Sequence, residues 1–128
     1  MPLHPPLVHF PIAFYFLELV LLLFWLRRQD PAYRRFALFS FRMGYFLMLA
    51  AMVAGYVDTG GRFPVPKPVR PHALSALVVF GFYTLRAGYW RWAKEGGKFY
   101  QRALIAGALI GTAIVFWTAF LGGKLVYD

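Results

Sequence analysis

The chain has 128 residues, of which 60% are hydrophobic, 20% aromatic and only 15% charged. A soluble domain carries roughly 45–50% apolar and about 25% charged residues, so a water-soluble globular fold and a disordered chain are both excluded. The net charge of +9 accompanies no nucleic-acid motif; in a membrane protein such a surplus marks basic loops held against the cytoplasmic leaflet.

Four apolar stretches, near residues 6–28, 33–57, 71–93 and 99–121, reach the roughly 20 residues needed to cross a bilayer. The expected fold is therefore all-α, a four-helix integral membrane bundle forming a single domain over residues 1–128. The first stretch has no basic n-region and no small-residue cleavage site, and Arg27, Arg28, Arg34 and Arg35 follow it. It reads as a span rather than a cleaved signal peptide. The connections at 29–32 and 94–98 are short and close two helical hairpins. The connection at 58–70 holds Gly60, Gly61, Pro64, Pro66 and Pro68 and reads as the one real linker.

Ten of the fourteen basic residues lie in or near the two short loops; Arg62, Lys67, Arg70 and Lys124 are the others. The positive-inside rule then puts both short loops in the cytoplasm and both termini outside, in a multi-pass protein of the plasma membrane. Trp25, Tyr33, Trp90, Trp92 and Tyr100 would form an aromatic belt at the inner interface. Tyr56, Phe63, Trp117 and Tyr127 would form one at the outer interface.

The two hairpins share a register that suggests a parallel internal duplication. Shifted by 68 positions, His4 falls on His72, Ala13-Phe14-Tyr15 on Gly81-Phe82-Tyr83, and Glu18 on Arg86. In the second helix of each hairpin a shift of 67 brings Tyr33 onto Tyr100, Gly44 onto Gly111 and Gly55 onto Gly122. Glu18 lies about 15–18 Å from either end of its helix, and Arg42 and Arg86 lie about 10–13 Å from the basic ends of theirs. An unpaired charge at that depth is expensive, so Glu18 is expected to pair with Arg86, Arg42 or both. Such a pair either fixes helix register or serves a proton path or a cofactor's carboxylates.

The only histidines, His4, His9 and His72, all map to the outer ends of the first and third helices, with Asp58 level with them at the end of the second. Pro11 removes a helical hydrogen bond beside His9 and bends the helix there. The run His4-Pro5-Pro6-Leu7-Val8-His9-Phe10-Pro11-Ile12-Ala13 resembles the N-terminal signature of domain of unknown function 2231, a family of small four-helix prokaryotic membrane proteins. The resemblance continues through Gly55-Tyr56-Val57-Asp58, His72 and Gly122-Gly123-Lys124-Leu125-Val126-Tyr127. In helix count and helix-end histidines the family is similar to b-type membrane cytochromes, a likeness of fold rather than of activity.

Three readings follow. Two histidines on different helices can clamp one haem b for electron transfer. Three histidines allow at most one bis-His haem, with His72 as one ligand and His9, or else His4, as the other. Alternatively, His4, His9, His72 and Asp58 hold copper or zinc. The third reading is a non-catalytic membrane subunit packed in a larger complex. The lipid bilayer is the expected partner in every case, with a redox partner, other membrane subunits or a second copy in a homodimer beside it. With no cysteine and only two serines, thiol and serine hydrolase chemistry has no support. Ten arginines and no asparagine are the composition of a thermophile.

Overall fold

The computed structural model describes residues 9–58, 70–93 and 96–127. They form four helices: α1 (His9–Arg28), α2 (Pro31–Asp58), α3 (Arg70–Trp92) and α4 (Gly97–Tyr127). No strand occurs among the described residues. The structure is thus the all-α bundle that the apolar stretches require.

Local chemistry sets the turns. Gln29 closes α1 in the left-handed conformation, at φ 55°. Its amide donates to Trp25 O at 2.7 Å, and its side-chain Nε2 donates to Leu26 O at 2.7 Å, so exposed carbonyls of the last turn are satisfied. Asp30 follows as the N-cap of α2, its Oδ1 accepting from the Ala32 amide at 2.9 Å. Pro31 takes the first helical position, where its missing N–H costs nothing. That cap explains why α2 begins at Pro31 rather than at Tyr33, where hydrophobicity alone places it. Between α3 and α4, Gly96 and Gly97 turn the chain at φ 105° and 82°, angles that favour glycine. At its far end α4 runs through Gly122 and Gly123 to Tyr127.

Helix α1 packs against α2 and α4, α3 packs against α4, and α2 touches α3 more sparsely than the other neighbouring pairs touch. The backbones of α1 and α3 lie diagonally across the bundle, so long side chains join them. Short polar links stitch the other pairs. Ser40 Oγ donates to Phe14 O at 2.6 Å between α2 and α1. The Tyr45 hydroxyl meets Thr84 Oγ1 at 2.7 Å between α2 and α3, and Ser75 bonds Thr118 between α3 and α4.

The exterior is apolar: Phe16, Leu17, Phe39, Phe46, Leu85 and Phe116 are exposed while Glu18, Arg86 and Gln101 are buried. Water would not tolerate that surface, and lipid does. Among the described residues three helices are long and apolar enough to cross a membrane, over Phe10–Arg28, Pro31–Gly55 and Gly97–Phe120. The sequence pattern predicts four such spans; α3 falls short because Arg86, Arg91, Ser75 and Thr84 dilute it. Two residues assigned above to the inner aromatic belt turn into the bundle rather than outward. Trp90 and Tyr100 are buried, at 7% and 3% exposure, whereas Trp92 is exposed.

Candidate functional site

The centre of the bundle is built around one carboxylate. Glu18, midway along α1, is fully buried. Its Oε1 accepts from Arg86 Nη1 at 2.8 Å and its Oε2 from Arg86 Nη2 at 2.6 Å, a bidentate ion pair. Trp90, one turn along α3 from Arg86, donates its indole Nε1–H to the same Oε2 at 3.2 Å. The guanidinium also reaches Leu104 O at 3.5 Å. It sits over the rings of Phe41 and Tyr83, 5.0 and 5.4 Å from their centroids. Gly107 leaves it room, because a Cβ there would stand 2.9 Å from Arg86 Nε.

Beside the pair, Tyr15 of α1 and Tyr83 of α3 stack at 3.8 Å with their planes 12° apart. Each ring rests on a glycine of the next helix. A Cβ on Gly44 would meet the Tyr15 ring at 2.9 Å, and one on Gly111 would meet Tyr83 Cζ at 2.6 Å. The positions matched by the 68- and 67-residue shifts therefore carry the same packing in both hairpins. The structure also decides between the two arginines. Arg86 is the partner of Glu18, and Arg42 is exposed on the outer face of α2 with Phe39 and Phe46. Helical side chains lean towards the N-terminus, which carries the Arg42 charge towards the basic end of the bundle.

The histidine end is built by topology. α1 starts at His9, α3 starts near His72 and α2 ends at Asp58, so alternating helix directions bring these three backbone positions to one end. Their side chains lie outside the described residues, as does the whole of His4. Among the described residues no cluster of three metal-ligating side chains occurs. Just inside this end is a small apolar cavity of about 50 Å³, bordered by Pro11, Tyr15, Met48, Met52, Ala76 and Thr118. The Tyr15 hydroxyl donates to Met48 Sδ at 3.4 Å across it.

Sequence reasoning missed Trp90 as a donor to Glu18 and the two tyrosines that wall the pair. The signal for Trp90 was present, since Arg86 and Trp90 are four apart on one helix and so share a face.

An apolar-surfaced bundle that neutralises a deeply buried carboxylate by an internal arginine has the build of a small integral membrane protein. The chain belongs to the family described as predicted membrane protein (DUF2231), whose model matches residues 1–128, as the N-terminal motif implied. No curated protein and no solved structure matches the chain.

Proposed function

We propose that this membrane protein is a small metalloprotein whose functional centre lies at the histidine end, where His9, His72 and Asp58 supply ligands to one copper or zinc ion, with His4 as a further candidate. The observation that carries this reading is the topology: three separate helix termini bring two histidines and an aspartate to one end of the bundle. A single ion bridges such termini without needing a preformed hole. Imidazole and carboxylate suit zinc, and imidazole suits copper as well. Copper would supply one-electron transfer at the membrane surface, and zinc a structural clamp.

Haem b between His72 and His9, or between His72 and His4, is the second reading, favoured by histidines on two diagonal helices. The cavity beneath them, about 50 Å³, is well below the 300–1,000 Å³ of ordinary cofactor sites. A porphyrin would have to lie beyond it, among residues outside those described.

The orientation that fits this reading places the histidine end outside and the basic end in the cytoplasm, with the chain in the plasma membrane. A reporter inserted at Gly97 should then be cytoplasmic.

The deciding experiment is metal analysis of the protein purified in detergent, with absorption spectra before and after dithionite. Stoichiometric copper or zinc without a Soret band, lost in the His72→Ala variant, is the expected result. A Soret band that shifts on reduction would replace the metal-ion reading with haem. Neither metal nor haem would overturn both and leave an accessory membrane subunit.

A further inference from the structure

The opposite end of the bundle holds a second feature, independent of the metal reading. Between the α1–α2 turn and the start of α4 lies an open cavity of about 500 Å³. Gln101 lines it and is only 6% exposed. Its Oε1 accepts from Gln29 Nε2 at 3.3 Å, but its own Nε2 has no hydrogen-bond partner. A buried amide N–H₂ left without an acceptor is uncommon and costly, and this one belongs to the lining of a cavity.

The rest of the lining favours negative charge. Lys98 and Arg34 are its charged residues, and no acid lines it among the described residues. Arg34 is held in place by Nη1 donating to the Tyr100 hydroxyl at 3.3 Å. Two helices start here. Asp30 caps α2; at α4, Gly96, Gly97 and Lys98 line the cavity, so the positive end of that helix's dipole faces it. A Cβ on Gly96 or Gly97 would meet no atom within 4 Å, so the backbone at the mouth is accessible. These donors converge from an amide side chain, a helix terminus and two cations, which is the set that a tetrahedral oxyanion satisfies.

We propose that this cavity binds a phosphate group, seated on Gln101 Nε2 and the first turn of α4 with Lys98 and Arg34 around it. The group is either the headgroup of an anionic phospholipid or a free phosphate. Where the helices cross a bilayer, their ends reach headgroup level, so both sources have access.

The test uses the full-length protein. Native mass spectrometry after release from nanodiscs should show one phosphatidylglycerol retained and phosphatidylcholine released. Gln101→Leu and Lys98→Ala should each weaken retention about tenfold, the loss of one hydrogen bond to a charged group. Arg102→Ala removes an exposed basic residue of the same helix that does not line the cavity and should leave retention unchanged. In parallel, melting in detergent with inorganic phosphate against chloride at equal ionic strength tests the free anion. A rise in melting temperature that vanishes in Lys98→Ala supports the same site with a soluble source. If Gln101→Leu does not fold, Lys98→Ala carries the test. The proposal is overturned if neither probe binds, or if Arg102→Ala weakens binding as much as Lys98→Ala, since that would mean a diffuse basic surface.

Discussion

In the first hairpin Tyr15 of α1 lies on Gly44 of α2; in the second, Tyr83 of α3 lies on Gly111 of α4, and the two rings stack where the hairpins meet. About one turn further the likeness ends. The first hairpin carries Glu18 and the second Arg86 at the matched position, 68 residues apart. Equal shape lets the halves pack face to face, and opposite charge makes each half need the other. α1 with an unpaired carboxylate and α3 with an unpaired guanidinium would both be poor membrane helices. Joined, they cancel. Among the described residues α3 is the helix that falls short of a span on its own composition, so the second hairpin depends most on the pairing.

This contrast between matched packing and mismatched charge can be broken in stages. Glu18→Gln should be the most damaging change, at about 3–5 kcal/mol, because it leaves a buried guanidinium without its counter-charge. Thermal unfolding in detergent followed by circular dichroism would measure it, and Arg42→Gln should be nearly silent in the same assay. Trp90→Phe keeps the ring but removes the third donor to the carboxylate. The expected loss is about 1.5–3 kcal/mol, the range for a hydrogen bond to a charged group.

The packing half of the comparison is tested by three glycines. Gly44→Ala and Gly111→Ala each push a methyl into a tyrosine ring and should cost about 1–3 kcal/mol. Gly81 faces nothing within 4 Å, so Gly81→Ala should be neutral or should raise stability by up to about 1 kcal/mol through helix propensity. Equal effects at all three would mean that the tyrosine–glycine contacts do not hold the hairpins. The smallest effect is expected from Ser40→Ala, about 1 kcal/mol for a single neutral hydrogen bond to Phe14 O.

The bundle and the existence of a central ion pair were legible in the sequence for different reasons. Long apolar runs leave helices as the way for a chain to satisfy its backbone in lipid, and matched depth along those helices puts Glu18 level with an arginine. Depth says nothing about rotation round a helix axis. For that reason Arg42 and Arg86 looked equivalent, although only Arg86 faces inward. Trp90 was assigned to an interfacial belt by the same blindness to rotation. The turn at Asp30-Pro31 was readable from capping chemistry, yet hydrophobicity alone starts α2 too late. The buried Gln101 amide gave no sequence signal, because its significance depends on a neighbouring cavity that α1, α2 and α4 make together.

A double-mutant cycle on Glu18→Gln and Arg86→Gln, with Arg42→Gln as the control partner, tests most directly whether the hairpins are joined through opposite charge. The pairing predicts that the double Glu18→Gln/Arg86→Gln variant loses clearly less stability than the two single losses added together, by at least about 1 kcal/mol, the scale of coupling between contacting residues. Glu18→Gln and Arg42→Gln should simply add. Additive losses for Glu18 and Arg86, or coupling to Arg42 instead, would contradict the account.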